Sequence, residues 1–298
     1  MCGGEDFCNC QGTVSFCVMQ ELKNNGNKAK RGRRVKQGEV ARVIEYAGDC
    51  LFIRIKVPVT ERSAFNRPGA FIFIRYLENT FFDVPISVIY EENETDTIGL
   101  LIQMRGVKTN QFRELKKGDR VFYRGPYLNG LLGKKEAACV HDGMATVICR
   151  GIGFFPSLHV IMMLAKNRNK VNIYMDKGSF DEHLLNTIID LYEVSITETD
   201  ICDSEGELTD NICGIIDREI ADGTRLIHLG LSDYLLKKAI EKIRKADRKP
   251  GPFISCINNA HMCCGEGICG ACTKNPDPSR IIHLCKEQVD ISEYAGVI

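Results

Sequence analysis

The sequence predicts a small antiparallel β barrel followed by a parallel-sheet α/β domain, with a cysteine-rich segment at each end. Between Val35 and Tyr123 come about six short runs rich in Val, Ile, Phe and Tyr, broken by Gly, Pro and Asn, with no long helical pattern between them. From Ala145 onward, apolar runs alternate with helical stretches, the pattern of parallel strands joined by crossover helices. A chain of 298 residues also has room for two cores, at roughly 100 to 200 residues per domain.

The expected barrel strands are Glu39–Tyr46, Cys50–Val57, Ala70–Tyr76, Pro85–Tyr90, Gly99–Met104 and Asp119–Tyr123. In the second half, Thr146–Cys149, Val171–Met175, Val194–Thr197 and Arg225–Leu229 read as strands, and Ser157–Asn167, Phe180–Leu191 and Asp233–Lys245 as helices. The first of these strands runs into Arg150-Gly151-Ile152-Gly153 and then a helix. Such a turn can present backbone amides to a phosphate, which makes this half nucleotide-binding in type. The expected division is 1–34 as a cysteine-rich extension and basic linker, 35–140 as barrel, 141–250 as α/β domain and 251–298 as a metal-binding segment.

Hydrophobic residues at 44% and charged residues at 26% exclude a disordered or collagen-like chain. The 39 Lys and Arg balance the 39 Asp and Glu, so the general basic excess of a nucleic-acid binder is missing. No apolar run approaches the roughly 18 to 20 residues of a membrane span, and Met1–Gln20 lacks the basic and apolar regions of a secretory signal. A cytoplasmic location is expected. Lys23, Lys28, Lys30, Arg31, Arg33, Arg34 and Lys36 lie in a stretch without acidic residues, read as a solvated linker or an arm along an acidic surface.

Cysteine is the outlier, at 15 positions. Without a secretory signal, clustered cysteines more often ligate metal than pair as disulfides. Cys50, Cys139, Cys149, Cys202 and Cys213 stand singly among apolar residues and read as small buried hydrophobes. Cys264, Cys269, Cys272 and Cys285 follow a C-x4-C-x2-C-x12-C spacing, the loop pattern that wraps a [2Fe-2S] cluster in plant-type ferredoxins. The glycines between them permit positive φ and close approach of amides to sulfur.

Zinc is the rival, though its sites favour pairs of cysteines separated by a longer loop. Cys263 is an alternative first ligand, and His261 and His283 raise a Rieske-like alternative, although four cysteines already complete the set. Cys2, Cys8, Cys10 and Cys17 could hold a second metal centre, iron–sulfur or zinc, or none.

A barrel, an α/β half and this cysteine loop together resemble the electron-transfer subunit of dihydroorotate dehydrogenase. They are similar also to the small subunits of NADH-dependent ferredoxin:NADP oxidoreductase and sulfide dehydrogenase, all in the ferredoxin reductase superfamily. The resemblance covers about Val35 to Ile298. Pro68-Gly69-Ala70-Phe71 is similar to the family's turn before the third strand, and Val84-Pro85-Ile86-Ser87 stands at its flavin motif. Leu101-Ile102-Gln103 and Lys108-Thr109 resemble two further flavin segments, the second in a loop that would face the FAD pyrophosphate. Gly125-Pro126-Tyr127-Leu128-Asn129-Gly130 resembles the stretch that closes the barrel.

Gly151, Gly153 and Pro156 match the family's dinucleotide turn, implying NAD(P)H as a further cofactor. Three positions depart from the pattern. Val84 replaces an arginine that pairs with the FAD pyrophosphate in many relatives. Arg150 replaces the first glycine of the nucleotide turn, where it could block the phosphate or bind it. His228-Leu229-Gly230-Leu231-Ser232 replaces a C-G-P turn flanking the nicotinamide.

The resemblance implies an electron-transfer subunit that passes electrons between FAD and a [2Fe-2S] cluster, to or from a larger flavoprotein or iron–sulfur partner. A self-sufficient NAD(P)H:ferredoxin-type reductase is one alternative, with ferredoxin as partner. A docking subunit that has lost flavin or nucleotide is another.

Overall fold

A computed structural model describes residues 23, 26–27, 33–89, 96–180, 195–246, 250–277, 280–289 and 291. The expectations for Cys2, Cys8, Cys10 and Cys17, and for nearly all of the helix Phe180–Leu191, lie outside the described residues. The chain divides into two compact units, Met1–Gly130 with Ala260–Gln288, and Leu131–Asn259 with Val289–Ile298.

The first unit contains β1 (Lys36–Tyr46), β2 (Cys50–Lys56), β3 (Phe71–Arg75), β4 (Val84–Ile89), β5 (Thr97–Gln103) and β6 (Arg120–Tyr127). They close into an antiparallel barrel in the order β1-β2-β5-β4-β3-β6. Alternation sets which side chains enter it, because successive residues of a strand point to opposite faces. Leu51, Ile53 and Ile55 of β2, Ile72 and Ile74 of β3, and Val121 and Tyr123 of β6 fill the barrel. Each such aliphatic burial is worth about 1.5–3 kcal/mol over exposure. The odd residues of β3, Phe71 and Phe73, face the other way and form a separate cluster with Tyr127.

The second unit contains β7 (Leu131–Leu132), β8 (Met144–Arg150), α1 (Phe154–Lys166), β9 (Lys170–Asp176), β10 (Ile196–Glu198), α2 (Asp210–Ala221), β11 (Leu226–Gly230), α3 (Asp233–Arg244) and β12 (Phe253–Ile257). The sheet order is β10-β9-β8-β11-β12-β7, parallel except where β7 pairs antiparallel with β12. Strand order therefore reverses between β8 and β11, the point where open α/β sheets take their ligands. Buried Glu219 pins α2 to the sheet, its carboxylate accepting from Thr146 Oγ1 (2.8 Å), Asn172 Nδ2 (2.8 Å) and Tyr174 Oη (2.6 Å). Burial opposes ionisation, but these donors hold the carboxyl below its ordinary range.

Two boundaries differ from the sequence reading. Leu131 and Leu132 pair with Ile257 and Cys256, which moves 131–140 from the barrel into the sheet unit and 251–259 with it. The cysteine segment from Ala260 to Gln288 belongs to the barrel's unit. It contains a hairpin of β13 (Thr273–Asp277) and β14 (Arg280–His283).

Of the single cysteines, Cys50 and Cys149 are buried as expected. Cys139 is a correction: it caps the short helix Lys134–Ala138 and is exposed. Cys202 and Cys213 are half-buried.

Candidate functional site

The cysteine loop folds its thiols into two facing pairs, Cys264 with Cys269 and Cys272 with Cys285. Gly265, Gly267 and Gly270 adopt φ of 68°, 71° and 76°, which turns amides inward. Glu266 N donates to Cys264 Sγ at 3.2 Å, Gly267 N to Cys285 Sγ at 3.2 Å and Cys285 N to Cys272 Sγ at 3.4 Å. Burial works against the Cys264 thiolate, but the amides of Cys269, Ile268 and Glu266 outweigh it and bring this thiol down to about 7. The Cys285 thiol hydrogen-bonds Cys272 and, against burial, brings it down to about 6.

Among the described residues, no three Cys, His, Asp or Glu side chains group around a single ion position. Two pairs of thiols suit a two-iron cluster, in which two cysteines serve each iron. Cys263 is exposed, as is His261, and His283 Nδ1 faces Thr273 Oγ1 at 3.4 Å.

Side chains far away in sequence seat this loop on the barrel. Arg124 of β6 donates through Nη1 to Cys264 O (2.7 Å) and Tyr127 Oη (2.7 Å), and through Nη2 to Cys263 O (3.0 Å). Its Nε donates to Asp83 Oδ2 at 2.9 Å, and the guanidinium lies 4.2 Å from the centre of the Phe73 ring. Buried Asn129 donates to Leu284 O (2.6 Å) and Glu287 O (2.9 Å) and accepts from Gln288 Nε2 (2.6 Å).

Arg33 departs from the solvated-linker reading. Its guanidinium stacks 4.4 Å above the Tyr127 ring and pairs with Glu266 at 3.0 Å. Lys286 pairs with the other Glu266 oxygen at 3.2 Å. Burial notwithstanding, these two cations hold the Glu266 carboxyl below its usual range.

The residues that resemble flavin segments split by strand alternation. Val84, Ile86 and Ile102 point into or pack on the barrel core, so their side chains are not available to a ligand. Pro85 and Ser87 take the opposite face, each directly across from an aromatic: Phe73 opposes Pro85 and Phe71 opposes Ser87. The ladder between β4 and β5 is confined to Val88↔Leu100 and Ile89↔Gly99, so it does not join Pro85–Ser87 to Leu101–Gln103. Lys108 is exposed, and Thr109 Oγ1 accepts from the Arg105 and Gly106 amides (3.1 and 3.2 Å), shaping that loop.

Since Phe71 also opposes Tyr127 across β3 and β6, Ser87, Phe71 and Tyr127 line up over two strand spacings, about 10 Å. The cysteine loop sits on the last of them, so Pro85 and Ser87 and the thiol pairs share one outer face of the barrel.

In the second unit, Gly151, Gly153 and Pro156 lie where strand order reverses, with Gly151–Gly153 leading from β8 into α1. A Cβ at Gly153 would lie 2.2 Å from Gly230 O at the end of β11, so only glycine fits that approach. Arg150 does not lie over the turn. Its backbone is extended, so no glycine is needed there, and its Nε donates to Asp176 Oδ2 at 2.8 Å on the neighbouring strand.

His228 is fully buried, Nε2 3.0 Å from Ser157 Oγ and Nδ1 2.8 Å from Ser255 Oγ. Ser157 donates to Gly153 O at 2.8 Å, so it accepts from His228 Nε2–H, which leaves Nδ1 to accept from Ser255. Burial lowers this imidazole to about 3, so the neutral ring is a structural link beneath the turn.

No protein-family model matches the chain. A solved NADH-dependent reduced ferredoxin–NADP oxidoreductase, studied for flavin-based electron bifurcation, superposes with a TM-score of 0.65 at 19% identity, over 88% of each chain. The chain has the ferredoxin-reductase fold. A ferredoxin NADP+ reductase from Neisseria gonorrhoeae with bound FAD and NADP shares it, at a TM-score of 0.51 and 16% identity, over 76% of this chain and 99% of that one. By sequence, the electron transfer subunit of dihydroorotate dehydrogenase B (NAD+) from Streptococcus mutans is 25% identical over 230 residues, 74% of this chain and 82% of that protein. Among the described residues, no helix of this ferredoxin-reductase fold is long and apolar enough to cross a membrane.

The loop brings Cys264 to Cys269 and Cys272 to Cys285. Arg124, Asp83 and Arg33 escaped the sequence reading, because the contacts that link them to one another and to the cysteine loop span 41 to 233 residues.

Proposed function

We propose that this chain is the electron-transfer subunit of a multi-subunit oxidoreductase, joining FAD and a [2Fe-2S] cluster to a larger flavoprotein or iron–sulfur partner in the cytoplasm. One observation carries the reading: the two thiol pairs and the outward flavin-motif residues Pro85 and Ser87 occupy one face of the barrel. The named relative is an electron-transfer subunit, which supports the same role here.

The donor set fits the cluster. Cys264 and Cys269 would hold one iron and Cys272 and Cys285 the other, with the amides of Glu266, Gly267 and Cys285 offsetting thiolate charge. Pro85, Ser87, Leu101, Gln103, Lys108 and Thr109 would receive the flavin, Val84, Ile86 and Ile102 contributing backbone only. FAD, when bound, supplies two-electron chemistry and the cluster one-electron chemistry, which lets a hydride donor serve a single-electron acceptor. Ile268 and Cys269 are exposed at the loop's tip, where a partner can approach the cluster.

The test is the visible spectrum of anaerobically purified protein with flavin, iron and zinc quantified. About two irons and one FAD per chain are expected. Zinc in place of iron, or no flavin after reconstitution, overturns the reading.

A second reading is favoured by the space at the nucleotide turn: a Cβ at Gly151 meets no atom within 4 Å, and Arg150 is drawn aside to Asp176. Gly151, Gly153 and Pro156 would then hold NAD(P)H, which would supply the hydride for the flavin. Bleaching of the loaded chain by NADH or NADPH supports it, and no bleaching by either removes it.

A further inference from the structure

Asp83 immediately precedes Val84, the first residue of the flavin motif, and accepts from two arginines, Arg124 Nε at 2.9 Å and Arg75 Nη1 at 2.7 Å. Arg124 reaches in the other direction to the carbonyls of Cys263 and Cys264. One guanidinium thus bonds the residue before the flavin motif and the backbone of the first cysteine of the loop. Its plane rests on Phe73, which opposes Pro85 in the same ladder. Asp83 and Arg124 are largely buried, their side chains 14% and 18% exposed, so solvent screens this pair less than a surface one.

Resting on the reading above, we propose that Arg124 is a positioning residue for electron transfer, fixing the first cluster ligand against the flavin strand and setting the cluster's reduction potential jointly with Asp83.

The physics has two parts. Arginine's planar fork can donate in several fixed directions at once, which a lysine cannot reproduce. The loop is therefore held in one register on β6, and the spacing between flavin and cluster is fixed with it. The second part is electrostatic. Reduction adds negative charge to the cluster, so a cation bonded to the ligand's own carbonyl favours the reduced state, and an anion behind that cation moderates the effect. Charge and hydrogen bonding around the sulfurs are the levers by which such potentials are tuned. Arg124 and Asp83 act on that lever with opposite sign.

The opposite signs make the test specific. The cluster midpoint potential is measured by redox titration of the FAD- and iron-loaded full chain, followed by visible circular dichroism, in wild type, R124Q, R124K and D83N. R124Q is expected to shift the midpoint down and D83N to shift it up. R124K keeps the charge but loses the fork. It is expected near the wild-type midpoint, with a changed dichroism spectrum and slower flavin-to-cluster transfer after rapid reduction. Should R124Q fail to fold, D83N and R124K carry the same test.

Midpoints that do not move in R124Q and D83N, or that move in the same direction, overturn the proposal, since a general loosening of the loop has no sign. A wild-type chain that takes up no cluster would instead overturn the function proposed above.

Discussion

Gly265 lies against the ring of Tyr127: a Cβ added there would come within 2.5 Å of Tyr127 Cε1 and 2.8 Å of Phe73 Cε2. Its φ of 68° is also one that residues with a Cβ adopt only at a cost. The glycine next to the first cysteine is thus required twice, by its own backbone and by the aromatic surface beneath it. Gly265→Ala is expected to lose roughly 2–4 kcal/mol, combining left-handed strain with overpacking. The loss should fall on the loop, so iron per chain drops while FAD content stays near wild type. Iron and flavin analysis of the purified variant checks this, and an alanine variant with full iron contradicts it.

Replacing cysteines one at a time separates ligands from bystanders. Cys264→Ser, Cys269→Ser, Cys272→Ser and Cys285→Ser are each expected to abolish the visible cluster absorption, since each removes half of a thiol pair. Cys263→Ser is expected to retain it, because the exposed Cys263 contributes its carbonyl to Arg124 and keeps that group after substitution. Retained absorption in Cys264→Ser together with loss in Cys263→Ser would reverse the assignment.

Asn129 carries the distal end of the same segment. Its side chain satisfies the Leu284 and Glu287 carbonyls and the Gln288 amide on either side of Cys285's neighbourhood, at 0% exposure. A hydrogen bond contributes about 0.5–1.5 kcal/mol net, and Asn129→Ala removes three of them. A loss of about 2–4 kcal/mol is expected on that basis, with the iron released at a lower denaturant concentration than the flavin. Denaturant titrations followed separately at cluster and flavin wavelengths distinguish this from a uniform loss of stability.

The barrel and the cysteine loop were legible because their signals are local. Alternation in Leu51-Phe52-Ile53-Arg54-Ile55 names the inward face, and the spacing of Cys264, Cys269, Cys272 and Cys285 marks the loop in which their thiols pair. Helix α2 also carries local signals: Thr209 caps it by accepting from Ile212 N, and Ile212, Ile215, Ile216 and Ile220 keep helical spacing. The domain boundaries were not legible, since nothing in Leu131-Leu132 shows that it pairs with Cys256 and Ile257 more than a hundred residues on. Alternation also decides which flavin-segment residues face out. Within Val84–Ser87, Val84 and Ile86 turn inward.

His228 gives the second unit a defined pH response. Its folded value of about 3 lies below the ordinary 6.5, through burial. The unfolded chain therefore takes up a proton first as pH falls, and unfolding becomes easier below pH 6.5. The stabilisation is complete above that value and is lost progressively toward pH 3, at about 1.4 kcal/mol per pH unit. A variant with no ionisable group there cannot show this component. His228→Gln keeps a donor for Ser157 and an acceptor for Ser255 and removes the titration. Its thermal midpoint is expected below wild type at pH 7.5, with the gap narrowing or reversing by pH 4.5 as the wild type loses its contribution. Parallel midpoint curves for the two proteins from pH 7.5 to 4.5 would show that this imidazole is already charged, or already solvated, in the folded state.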